Sequence, residues 1–117
     1  MTNRVTLIAK VLEAAKIRTY ESRGQTFETV SLWVEVKDAD RADRFTVEIH
    51  CPKAQTVAKA MQADVLAEIN GQLRHDRWKD KQTSRWTGKV YIAIEPGVGT
   101  LRSKGMAPEP TPQAMAA

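Results

Sequence analysis

With one cysteine and two histidines, the sequence offers little to chemistry that needs thiols or imidazoles. Cys51 cannot form an internal disulfide, which agrees with a reducing compartment. His50 and Cys51 adjoin in an alternating segment, where neighbouring side chains point to opposite faces, so they do not make a nucleophile–base pair. No Cys/His spacing fits zinc, and no glycine-rich phosphate loop is present. Catalytic residues, metal ligands and cofactors are therefore not expected. No apolar run approaches the roughly 18–20 residues needed to cross a bilayer. The opening Met1-Thr2-Asn3-Arg4 lacks the apolar stretch of a secretory signal, so the expectation is a cytoplasmic chain with no membrane partner.

At 117 residues the chain can build one core but not two. A hydrophobic fraction of 42% and a charged fraction of 27% suit an ordinary globular domain. Composition breaks once. From Met106 onward, "MAPEPTPQAMAA" carries three prolines and no periodicity. The expected organisation is a folded domain over 1–105 and a disordered Pro/Ala-rich tail over 106–117.

Within the domain the dominant period is two. Val5 to Ala14 is apolar and rich in β-formers; "SRGQ", Ser22 to Gln25, supplies a glycine turn; Thr26 to Lys37 is a second strand. Asp38 to Asp43 is a polar loop. Arg44 to His50 alternates, with Phe45, Val47 and Ile49 on one face. Pro52 then opens a helix at its first position, where a missing N–H costs nothing. Ala54, Val57, Ala58 and Met61 form its apolar stripe. Asp64 to Arg74 and Arg85 to Glu95 are two more strands, joined by a long polar hairpin. The order β-β-β-α-β-β is the plan of an all-β OB-fold, a five-stranded Greek-key barrel with its helix between the third and fourth strands.

Parity then separates the faces. Val30, Leu32, Val34 and Val36 point inward, as do Val65, Ala67, Ile69 and Leu73, and Val90, Ile92 and Ile94. Trp33, Gln72, Arg74, Lys89 and Tyr91 point outward, and Trp78 sits in the charged run "GQLRHDRWKD". The net charge is +4, from 18 Lys plus Arg against 14 Asp plus Glu. Its placement matters more than its size, because Arg74, Arg77, Lys79, Lys81, Arg85 and Lys89 crowd one stretch. An aromatic face stacks on a base while a nearby cation neutralises phosphate, and only single strands leave base faces free.

Other readings remain open at this point. A solvated hairpin tip would also be charged. Trp33 could be covered by a subunit interface, Tyr91 could pack across strands, and Trp86, with inward parity, could cap the core.

"NRVTLIAKV", the Gly24 turn and "INGQLRHDRWKD…SRWTGKVYI" together resemble bacterial single-stranded DNA-binding protein, the SSB family, over about residues 3 to 105. The block Gly71-Gln72-Leu73-Arg74 with Trp78 is the specific part. The resemblance implies a non-enzymatic OB-fold that binds single-stranded DNA in replication, recombination or repair. It also implies a homo-oligomer, tetramer first and dimer second. The first strand is the expected pairing edge, because Val5 to Ala14 is apolar on both faces, more than one interior requires. It gives Trp78 a stacking role and matches Trp86 to the aromatic after the hairpin. Where the family places two aromatics on the third strand, this chain has Arg44, which could hold phosphate, and His50, which could stack. The DNA-contacting set is then Trp33, Trp78, Trp86, Tyr91, Arg74, Arg77, Lys79, Arg85, Lys89, Arg44 and His50. The family's acidic tip with a terminal aromatic has no counterpart in "PTPQAMAA", so recruitment of other proteins through the tail is not expected. "MTNRV" also resembles the primosomal replication protein N family, dimeric OB-folds that assist helicase loading. A different class, an OB-fold serving protein interaction or RNA binding, would keep the same core and use Trp33 and Trp78 as anchors.

Overall fold

A computed structural model describes residues 1–106. The expected tail lies outside the described residues apart from Met106. The elements in chain order are β1 (Val5–Val11), β2 (Lys16–Ser22), β3 (Gln25–Asp38), β4 (Arg41–Ile49), α1 (Pro52–Ala60), β5 (Val65–Lys79), β6 (Trp86–Ile94) and β7 (Thr100–Met106).

Five of the strands close on themselves. β1 pairs with β3, β3 with β4, β4 with β6, β6 with β5, and β5 returns to β1. Every pairing is antiparallel except β4–β6, which is parallel over Val47–Ile92 to Ile49–Ile94. With α1 between the third and fourth strands of this ring, the architecture is the all-β OB-fold that the element order implies. Inside, Val11, Val30, Leu32, Val34, Val47, Ile49, Ile69, Ile92 and Ile94 are fully buried and no polar side chain among the described residues is. Ala54, Ala58 and Met61 pack onto this core from α1. Gln55 fixes the helix to the sheet by donating to the carbonyls of Glu28 and Ile49, both at 2.9 Å.

Three expectations about elements need correction. The first strand stops at Val11, and β2 follows. Its "KIRTYES" has no apolar face, and the whole strand is exposed. Only its ladder to β3, from Lys16–Ser31 to Ser22–Gln25, holds it. The turn between them is the expected one, with Arg23 at φ 53 and Gly24 at φ 77, the double positive φ of a type I′ hairpin. The polar stretch Asp38 to Asp43 is not a loop; β3 and β4 run through it to a two-residue turn at Ala39-Asp40. Charge is no obstacle to a strand whose faces both meet water. Finally, β7 adds to β5 beside β6's end, with Leu101 as its single buried anchor. One apolar residue in a polar strand leaves no alternation to read.

Phe45, Leu73 and Val90 have the parity expected of them but are not in the core; all three are exposed. Beyond Ile92, which is buried and pairs with both Leu73 and Val47, β5 and β6 continue past the barrel as a two-stranded ribbon, from Arg74–Tyr91 to Lys79–Trp86. Out there the inward parity faces no opposite wall. The ribbon's tip is tied by Asp80, whose Oδ1 accepts from the backbone N–H of Gln82 at 2.7 Å and Thr83 at 3.1 Å. Its root is tied by Asn3. That carboxamide donates to the Leu73 carbonyl and accepts from the Leu73 N–H, both at 2.8 Å, extending the β1 ladder by one side-chain rung.

Gly71 marks where barrel becomes ribbon, and there the requirement is space. A Cβ at Gly71 would lie 2.6 Å from the Ala93 carbonyl oxygen and 3.0 Å from Ile92 Cγ2. Backbone cannot step aside as a flexible side chain can. Gly71→Ala is expected to destabilise the fold by about 1–3 kcal/mol, the usual range for overpacking. Thermal and urea unfolding measure this, and an unchanged midpoint would mean that the β5–β6 junction is looser than described.

Candidate nucleic-acid interface

Residues opposite one another in register share a face. Trp33 pairs with Thr46, and Arg74 with Tyr91. Thr46 and Tyr91 each stand one step before the Val47–Ile92 pair that joins β4 to β6. Trp33, Thr46, Tyr91 and Arg74 therefore form one row across four strands on the outside of the ring. Trp78 lies on the same face of β5, about 13 Å further along at ~3.3 Å per residue. Trp33 is 37% exposed and Trp78 48% exposed, so neither indole is part of the core.

A groove of about 580 Å³ runs over this face. Trp33, Thr46, His50 and Lys89 line its barrel side, and Lys16, Arg18 and Tyr20 of β2 line the other. These β2 residues were not in the expected set. Their signal is present in the sequence as a cation–cation–aromatic alternation at Lys16, Arg18 and Tyr20, but it has period two without hydrophobicity.

Three basic groups on the barrel face stand beside carboxylates. Lys89 Nζ is 2.9 Å from Glu48 Oε1, and Arg44 Nε is 3.2 Å from Glu35 Oε2. His50 Nε2 is 3.8 Å from the other Glu48 oxygen. On the ribbon, Arg74, Arg77, Lys79 and Arg85 are exposed, and among the described residues none has an ion-pair partner. Arg74 Nη2 instead donates to Gln72 Oε1 at 3.0 Å.

Tyr91 is half-buried, and Lys89 Nζ sits 5.4 Å from its ring centroid. Burial, the adjoining Asp76 carboxylate and the charge of Glu48 push its phenol up to about 12. Each of these opposes the anion, so the Tyr91 ring stays neutral through the physiological range.

Trp86 does not cap the core. It is 66% exposed, the most of the three indoles, with the Arg77 guanidinium 5.7 Å from its ring centroid. Register explains the placement. Trp78 faces the same way as Thr87, whereas Trp86 pairs with Lys79, one step round on the ribbon's other face. That second face also carries His75 and Arg77, with Leu73 and Val90 nearer the root. The expected residues thus fall into three groups. Trp33, Arg44, His50, Arg74, Trp78, Lys89 and Tyr91 share the outer face; Arg77, Lys79 and Trp86 lie behind it; and Arg85 stands in the turn.

The Tyr91 environment can be tested alone. In Tyr20→Phe, Tyr91 is the only tyrosine, and its alkaline absorbance titration should have a midpoint near 12 rather than the ordinary 10. The stability that favours the neutral phenol is then present below pH 10 and lost as pH rises towards 12. A midpoint near 10, with circular dichroism showing the fold intact, would contradict the contact with Asp76.

No protein-family model and no curated protein sequence matches the chain. Solved structures do. The SSB of Plasmodium falciparum in complex with ssDNA has a TM-score of 0.73 at 14% identity, covering 88% of this chain and 95% of that one. The mitochondrial single-stranded DNA-binding protein of S. cerevisiae has a TM-score of 0.65 at 4% identity, covering 92% of this chain and 100% of that one. At such identities the likeness is one of fold: this chain is built on the same OB-fold as these single-stranded DNA-binding proteins.

Proposed function

We propose that the chain binds single-stranded DNA without reading its base sequence and so holds single strands in replication, recombination or repair. The observation that carries this reading is the outer-face row. Trp33, Tyr91 and Arg74 stand on it, and Trp78 continues it. Arg77, Lys79 and Arg85, which like Arg74 have no ion-pair partner among the described residues, lie behind it or at the turn. Aromatic rings stack on any base, and Lys and Arg take the phosphates between. The two solved neighbours are single-stranded DNA-binding proteins, one of them holding ssDNA, which supports the same ligand here. Arg74 is the cation that stands in the row itself. Lys89 and Arg44 contribute by exchanging a carboxylate for a phosphate, so each adds less than a free cation. Arg77, Lys79, Arg85 and Trp86 serve a strand that turns round the ribbon. The role is binding rather than catalysis.

The same reading includes self-assembly into a tetramer, with a dimer as the second choice. β1 uses one backbone edge for β5 along its whole pairing from Val5 to Lys10. Its other edge meets β3 only at Lys10 and Val11, so the edge from Val5 to Ala9 is unpaired among the described residues. Ile8 stands exposed on that stretch. An open edge beside an exposed aliphatic side chain is a template for another strand.

Titrating tryptophan fluorescence with oligo-dT at two salt concentrations tests the ligand. Affinity should fall with salt at a log–log slope of about −0.7 per phosphate contact, whereas an apolar protein interface would hardly respond. Trp78→Ala should weaken binding by about 1–3 kcal/mol and leave the fold intact. Unchanged affinity with lost stability would reassign Trp78 to structure. Sedimentation equilibrium at micromolar concentration should show an oligomer; monomer alone would reject the β1 edge as an interface.

A further inference from the structure

The β2–β3 arm carries a second aromatic cluster that the row above does not use. Tyr20 and Phe27 are register partners, and their rings stack with centroids 5.4 Å apart and planes 20° from parallel. Cross-strand aromatic pairs of this kind help hold a ribbon together. That role accounts for the contact between the rings but not for where they stand. Phe27 and Trp33 have the same parity on β3, so the cluster lies on the face that carries Trp33. Arg18 pairs with Thr29 and so stands on that face between Tyr20 and Trp33. Among the described residues it has no ion-pair partner. The groove over the outer face runs from Trp33 to Tyr20 without interruption. Tyr20 is 52% exposed and Phe27 40%, so the stacked pair keeps ring surface open to solvent.

Strand directions put this cluster at the far end of the track from Trp78. β5 runs the same way as β3, because each of the β3–β4 and β5–β6 steps reverses direction and the β4–β6 step does not. Trp78 lies towards the C-terminal end of β5 from the row, and Phe27 lies towards the N-terminal end of β3. The separation of Phe27 from Trp33 is about 20 Å at ~3.3 Å per residue. That is about six nucleotides at the 3.4 Å spacing of a stacked strand, and fewer when the strand is extended.

We propose that the arm is a further base-stacking station, in which the Tyr20–Phe27 pair takes a base of the bound strand and Arg18 takes an adjoining phosphate. It lengthens the track at the end opposite the ribbon, so that one strand runs from the arm past Trp33 and Tyr91 to Trp78. The station rests on the single-stranded DNA reading.

The test compares wild type with Tyr20→Leu/Phe27→Leu across oligo-dT of stepwise increasing length. Leucine keeps an apolar cross-strand pair and removes the rings. Short oligomers held between Trp33 and Trp78 should bind both proteins alike. Oligomers long enough to reach the arm should bind the variant more weakly by about 5- to 150-fold, and the number of nucleotides covered per chain should shrink. Arg18→Gln provides a second probe that leaves the ribbon's apolar pair untouched, and its salt slope should flatten by about 0.7 for the long oligomers only. Equal affinities at every length for both variants, with wild type binding normally, would overturn the station while leaving the function standing. Failure of wild type to bind oligo-dT at any length would instead remove the function itself.

Discussion

The parallel pairing of β4 with β6 is the contact on which the rest of the molecule depends. It spans three register pairs, Val47–Ile92, Glu48–Ala93 and Ile49–Ile94, and it converts an open sheet into a ring. Without it, Val47, Ile49, Ile92 and Ile94 would lie on an exposed edge; with it, all four are buried. The pairing is reinforced from outside by the Lys89–Glu48 ion pair, which joins the same two strands across the seam. It also brings Thr46 and Tyr91 side by side, and so joins Trp33 on β3 to Arg74 on β5 in one row.

A small ring leaves no room inside for anything but aliphatic side chains, so whatever chemistry the chain has must be on its outside or beyond its ends. Both happen here. The outer face carries the aromatic row. Two ribbons, the β2–β3 arm and the β5–β6 hairpin, leave the barrel in opposite directions and carry cations, Arg18 on one and Arg74, Arg77, Lys79 and Arg85 on the other, that have no ion-pair partner among the described residues. Free cations towards both ends of the molecule suit a ligand whose charge is spread along its length.

Where the sequence is legible, burial is the reason. Val30, Leu32 and Val34, Ala67 and Ile69, and Ile92 and Ile94 must alternate to fill a ring, and the alternation shows which side of each strand is wet. The outward placement of Trp33 and Tyr91 follows from that and needs no further signal. β2 and β7 are hidden for the complementary reason: a strand with no apolar face is held by its ladder alone, and hydrophobic patterning carries no trace of a ladder. Phe45, Leu73, Trp86 and Val90 show the limit of parity. Parity tells which way a side chain points, but not whether the opposite wall is still there to meet it. The paired state of Lys89 and Arg44 was likewise out of reach, because their partners Glu48 and Glu35 stand on neighbouring strands 41 and 9 residues away.

On the proposed function, one strand of DNA lies along the outer face and meets Trp33 and Trp78 together. The three indole N–H groups make this directly observable, since each gives its own nitrogen–proton NMR signal in the intact protein. Assigned by single substitution and followed during titration with oligo-dT, the Trp33 and Trp78 signals should shift in step and saturate at the same ratio of DNA to protein. A response confined to Trp86, or no indole response while the oligonucleotide is bound, would contradict it.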